Sequence, residues 1–106
     1  MKTKVLFLVP IILVITAIVY YQQDATIKAT FNCSAGKTIS AEFSNEKVEL
    51  ELSDDRKIEL LQVVSASGAR FANSDESFVF WNKGDTAFIE ENGQTTFTDC
   101  LEATEK

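Results

Sequence analysis

The stretch Thr38-Ile39-Ser40-Ala41-Glu42-Phe43-Ser44-Asn45-Glu46-Lys47-Val48-Glu49-Leu50-Glu51-Leu52 alternates apolar and polar residues on both sides of a short polar break. Ile39, Ala41 and Phe43 share one parity, and Val48, Leu50 and Leu52 oppose Glu49 and Glu51. A period of two marks a strand with one buried face, because successive side chains point to opposite faces. The break, Ser44-Asn45-Glu46-Lys47, consists of residues that suit a turn.

The same rhythm continues outward. Ile27, Ala29, Phe31 and Cys33 alternate within Thr26 to Cys33. Ile58 to Val64 is a longer apolar stretch, Ala69 and Phe71 alternate, and Phe78 to Trp81 is fully apolar. Phe88 and Ile89 precede acids, and Thr95 to Cys100 carries Phe97. This makes about eight candidate strands spaced by roughly 8–12 residues, the pattern of an all-β sandwich or barrel. The Gly residues at 36, 68, 84 and 93 all fall between runs. Ser53-Asp54-Asp55-Arg56 reads as a further turn, and Asn92-Gly93 is a strong two-residue hairpin signal. A sheet of short strands leaves vulnerable edges unless it closes, which favours a small antiparallel barrel.

The N-terminus reads differently. Lys2 and Lys4 precede Val5 to Tyr21, 17 residues without a charge. Residues 1–24 are therefore expected to be a signal peptide or, if uncleaved, a membrane anchor attached through residues 5–21, and residues 25–106 to form one domain. Small residues do not fall at the −3 and −1 positions before any obvious cut, so a cleaved signal and an uncleaved helical anchor both stay open. Basic residues before the segment and acidic ones after it place the domain outside the cytoplasm, in the periplasm or cell envelope.

Once Lys2, Lys4 and Asp24 are set aside, the 82 residues from Ala25 onward carry 15 acidic and 8 basic side chains, a net charge of −7. That argues against a nucleic-acid partner. The chain has no His, which excludes an imidazole base, a His-ligated metal and a Ser-His-Asp triad. Two Cys cannot build a four-thiolate zinc site, so neither a metal nor a cofactor is expected. In an exported domain of marginal core size, Cys33 and Cys100 are expected to form a disulfide tying the first strand to the last. Two free buried thiols are the alternative.

Ser65-Ala66-Ser67-Gly68-Ala69-Arg70-Phe71 and Phe78-Val79-Phe80-Trp81-Asn82-Lys83-Gly84-Asp85 carry the most information about function. Ser67 and Lys83 each precede a Gly at a strand boundary, so each is a polar group on a Gly-shaped turn beside a rigid strand. Two ordinary turns would look the same by composition. In combination, Ser67, Gly68 and Phe71, followed by Phe78, Lys83 and Gly84, resemble the bacterial inhibitors of c-type lysozyme of the MliC/PliC type. The resemblance covers roughly Phe31 to Cys100. It implies an eight-stranded antiparallel barrel closed by one disulfide. The chain departs from that pattern at Phe71 and Phe78, where Tyr is usual, and at Asn82, where Thr is usual. It also has no lipid-attachment Cys after the apolar run.

The resemblance further implies a partner, a c-type lysozyme, and a site. A glycosidase of this type works with two carboxyl groups in a cleft. Lys83 would pair with one of them, and the Ser67 hydroxyl would hydrogen-bond the other. Gly68, Arg70, Phe71, Phe78, Asn82 and Gly84 would complete the binding surface, with no catalysis by this chain. Two other classes compete. A small apolar-ligand carrier would need an empty barrel, whereas eight strands usually leave an interior just filled by side chains. A Ser-Lys hydrolase using Ser67 and Lys83 would need the two side chains in direct contact.

Overall fold

A computed structural model describes residues 26–104. The expected signal or anchor helix at 1–24 lies outside the described residues. The strands are β1 (Ile27–Asn32), β2 (Thr38–Ser44), β3 (Lys47–Leu52), β4 (Lys57–Val63), β5 (Ala69–Ala72), β6 (Phe78–Lys83), β7 (Thr86–Glu91) and β8 (Gln94–Glu102). Each pairs antiparallel with the next, and β8 returns to β1, so the sheet is a closed up-and-down barrel. The expected eight-stranded all-β barrel is therefore what the chain forms, and Cys33 and Cys100 are joined in a disulfide.

Strand parity builds the core. Ile39 and Ala41 of β2, Val48, Leu50 and Leu52 of β3, and Leu60 of β4 point inward and are buried. Phe31, Phe80 and Phe97 are the largest fully buried side chains, and Phe43, Phe71 and Phe80 pack with ring centroids 5.6–6.2 Å apart. Each such side chain contributes roughly 1.5–3 kcal/mol by leaving water. Because these rings fill the interior, the barrel has the packed centre that a carrier would lack.

The apolar run Ile58 to Val64 is not uniformly buried. Leu60 is 1% exposed, but Leu61 is 61% and Val64 96% exposed. Period two sends Ile58, Leu60 and Gln62 to one face and Leu61 to the other, and β4 ends at Val63, leaving Val64 in the following loop.

The hairpin turns follow the local chemistry. Asn45 and Glu46 have φ of 36° and 65°, and Asn92 and Gly93 have 53° and 79°. Positive φ at both central residues matches the right-handed twist of the flanking strands. A 3-10 turn at Ser34–Gly36, with Ala35 at φ 63°, links β1 to β2. β8 is longer than its apolar pattern implies, because its register against β7 shifts twice, once between Ala87 and Ile89 and again between Ile89 and Glu90. Such bulges bend and twist a strand, which helps a small sheet curl shut.

Closure itself is thin. β1 and β8 share two register pairs, Phe31 with Glu102 and Asn32 with Leu101, plus the Ala103 N–H donated to the Thr30 carbonyl at 2.7 Å. The disulfide sits directly beyond these pairs and links residues 67 apart in sequence.

The two ends of the barrel differ. Connections of an up-and-down barrel alternate between ends. The β1–β2, β3–β4, β5–β6 and β7–β8 connections share one rim, and the β2–β3, β4–β5 and β6–β7 connections share the other. The first rim is sealed by cations. Arg56 donates to Asp54 at 2.9 Å and to both Glu91 oxygens at 2.5 and 3.1 Å, with its guanidinium 5.8 Å from the Phe78 ring. Lys37 Nζ lies 4.9 Å from the Phe97 ring and donates to the Thr96 carbonyl at 2.7 Å. The Arg56 guanidinium, followed by the Thr96 hydroxyl, holds the Glu91 carboxyl below the usual carboxylate range. The same guanidinium lowers Asp54, and hydrogen bonding to Glu91 and then Asp54 raises Arg56 further.

Candidate functional site

The opposite rim brings the two informative segments together. Ala69 at the start of β5 pairs with Asn82 near the end of β6, so the loop before β5 lies alongside the turn after β6. Gly68 makes this approach close. Its φ is +70°, and a Cβ there would lie 2.8 Å from the Asn82 carbonyl oxygen, 3.1 Å from Trp81 Nε1 and 3.2 Å from Lys83 Cβ. Only a residue without a side chain lets the loop rest on β6 in this way. Ser67 and Lys83 consequently project from adjoining backbone segments, and both are exposed. Among the described residues, neither the Ser67 hydroxyl nor the Lys83 ammonium has a hydrogen-bond or ion-pair partner.

Both backbones are held. The Ser67 carbonyl accepts from the Trp81 indole N–H at 3.0 Å and from the Ser65 hydroxyl at 2.5 Å. Asn82 braces the Lys83 turn, donating from Nδ2 to the Gly84 and Thr86 carbonyls, each at 3.0 Å. The Thr86 hydroxyl donates to the Lys83 carbonyl at 2.8 Å. The free polar ends therefore stand on fixed supports.

The other residues expected at the site divide. Arg70 faces outward, pairs with Glu76 at 2.6 Å and lies 5.7 Å over the Trp81 ring. Gly84 forms the tip of the β6–β7 turn, next to Lys83. Phe71 and Phe78 are interior, at 4% and 8% exposure. Phe78 opens β6 at the sealed rim, about 17 Å of strand from Lys83 at roughly 3.3 Å per residue. Neither ring offers surface to a partner; both shape the scaffold. Sequence reasoning missed Trp81, Ser65 and Thr86 as supports. The signal for Trp81 was present, as the one Trp of the chain placed beside Asn82-Lys83-Gly84.

A family model described as membrane-bound lysozyme-inhibitor of c-type lysozyme matches residues 31–97, the span that contains both loops. The chain belongs to this family, MliC. Two relatives agree with the assignment. A membrane-bound lysozyme inhibitor of C-type lysozyme from Yersinia enterocolitica is 38% identical over 71 residues, covering 66% of this chain and 58% of the relative. The chain thus spans somewhat under two thirds of that relative's length. A protein of the same description from Escherichia coli K12 is 28% identical over 105 residues, covering 94% of this chain and 92% of the relative. No solved structure matches the chain. Within the MliC frame, the match includes Ser67, Gly68, Lys83 and Gly84 but stops short of Cys100.

Proposed function

We propose that this protein inhibits a c-type lysozyme without turnover, as an exported barrel in the periplasm or held at the cell envelope, and so protects the bacterial wall. In this reading, Lys83 enters the cleft and pairs with one catalytic carboxylate while the Ser67 hydroxyl hydrogen-bonds the other. The observation that supports it is the pairing of two exposed polar groups, without partners among the described residues, on abutting, internally braced loops at one rim. A cation and a hydroxyl so placed match a cleft with two carboxyl groups, one ionised and one able to share a proton.

Magnitudes favour such an arrangement over a surface contact. A charge-assisted bond in a desolvated cleft is about twice as strong as a neutral one, whereas an exposed ion pair is worth about 0–1 kcal/mol. Removing one partner of a buried interfacial pair typically costs about 2–5 kcal/mol, or about 30-fold or more in affinity. The net charge of −6 supplies long-range attraction to a basic enzyme. Part of that charge is concentrated, since Glu42, Glu49 and Glu59 lie side by side across β2, β3 and β4.

A lysozyme lysis assay with the purified full-length chain, at two salt concentrations, tests the reading. Wild type should inhibit, and more weakly at high salt. A folded Lys83→Ala protein should lose about 30-fold or more in affinity, and Ser67→Ala less. Inhibition by folded Lys83→Ala equal to wild type would remove the mechanism.

A further inference from the structure

Trp81 has a role that the inhibitory pair alone does not account for. It stands on the outer face of β6, where its ring stacks on Phe88 of β7 at a centroid distance of 5.7 Å and an interplanar angle of 29°. Arg70 of β5 lies over its other side, and Arg70 is itself tied to Glu76. The indole is therefore clamped between neighbours on both flanking strands. Its one polar atom, Nε1, is spent on the Ser67 carbonyl. The same atom lies where a Cβ at Gly68 would reach 3.1 Å. A clamped ring thus grips the Ser67–Gly68 corner and sets where the Ser67 side chain leaves the backbone.

We propose that Trp81 is a positioning residue for the lysozyme-binding pair, with Ser65 as a second donor to the same carbonyl. The proposal rests on the insertion reading of Ser67 and Lys83 and deepens it. Trp81 touches no catalytic group of the target; it acts through Ser67. Without the indole N–H, the loop of residues 64–68 is tied to β6 by fewer bonds, and a binding partner must order it at the moment of contact. Ordering a loop on binding weakens affinity even when every contact survives.

The test is Trp81→Phe, which keeps an aromatic ring on Phe88 and removes the N–H, alongside Ser65→Ala, which leaves the outer face untouched. In the free protein, amide hydrogen exchange at Gly68 and Ala69 should quicken in Trp81→Phe, while Leu50 and Phe80 in the core keep wild-type protection. Affinity for a c-type lysozyme should fall about three- to tenfold, the worth of one neutral hydrogen bond, and mostly through faster dissociation. Ser65→Ala should shift exchange and affinity in the same direction by less. In a Ser67→Ala background Trp81→Phe should cost nothing more, because residues that act through one group are not additive. Unchanged exchange at Gly68 and Ala69, or an undiminished effect of Trp81→Phe in the Ser67→Ala background, would overturn the proposal. If Ser67→Ala and Lys83→Ala both leave inhibition intact, the insertion reading fails instead, and the exchange measurement still decides whether Trp81 holds the loop.

Discussion

Gly68→Ala, set beside Gly84→Ala, offers a quantitative check on how the site is built. Both glycines have positive φ, +70° and +62°, so a Cβ at either costs roughly 1–2 kcal/mol of backbone strain. Their surroundings differ. Nothing lies within 4 Å of a Cβ at Gly84, whereas at Gly68 it would meet the Asn82 carbonyl at 2.8 Å. That oxygen belongs to β6 and cannot yield without disturbing the ladder to β5 and β7. The loop must lift instead, losing the indole–carbonyl bond, worth about 1 kcal/mol. Gly68→Ala should thus cost about 2–3 kcal/mol against about 1–2 for Gly84→Ala. For a domain of this size, 1 kcal/mol moves the midpoint by roughly 4–8 °C, so falls of roughly 8–24 °C and 4–16 °C are expected, the larger always at Gly68. Thermal unfolding followed by circular dichroism measures both. Emission from the single Trp should change in folded Gly68→Ala and stay as in wild type in Gly84→Ala, because only the first presses on the indole. Equal midpoint shifts in the two variants would refute the claim that Gly68 is required by close approach.

Two further outcomes test the scaffold. The pair Cys33→Ser and Cys100→Ser removes a bridge between residues 67 apart, and unfolding in urea should show a loss of about 4 kcal/mol by the chain-entropy estimate, enough to leave little of a small domain folded at 37 °C. The Glu91 carboxyl is depressed by Arg56, so its contribution is present above the unfolded carboxyl value of about 4.3 and is lost as pH falls through the lower folded value. The pair is partly open to solvent, which holds the effect to roughly 0.5–1 kcal/mol. Glu91→Gln should lower the midpoint at pH 7 and make its decline below about pH 4.5 shallower than in wild type, as followed by thermal melts across that range.

Much of the fold was legible because period two is a local property. Val48, Leu50 and Leu52 announce their inward face without any knowledge of their partners, and Asn92-Gly93 announces its turn. What escaped depends on pairing. Nothing local says that Leu61 faces water, because an apolar run reads alike on either face. The extra residues of β8 appear only when β7 is laid beside it. At the site, Ser67, Lys83 and the two glycines stood out as polar groups on Gly turns. The bond from Trp81 to a backbone carbonyl fourteen residues earlier in the chain is a tertiary fact. Phe78 shows the opposite case: a residue inside the family pattern that, because a strand has two ends, lies at the far rim from Lys83. Asn82 likewise stands where the pattern has Thr, yet its amide gives the turn two donors where a hydroxyl has one.

The seam between β1 and β8 carries one more implication. Every other strand meets a neighbour in sequence, so seven of the eight junctions can form from local hairpins as the chain lengthens. The eighth must wait for the last strand, and with only two register pairs it offers little grip of its own. The cystine beside it works as a latch, closed from outside the chain by whatever oxidant the surroundings provide. A molecule made this way reports on its redox surroundings: a copy with the latch open is one not yet oxidised or since reduced.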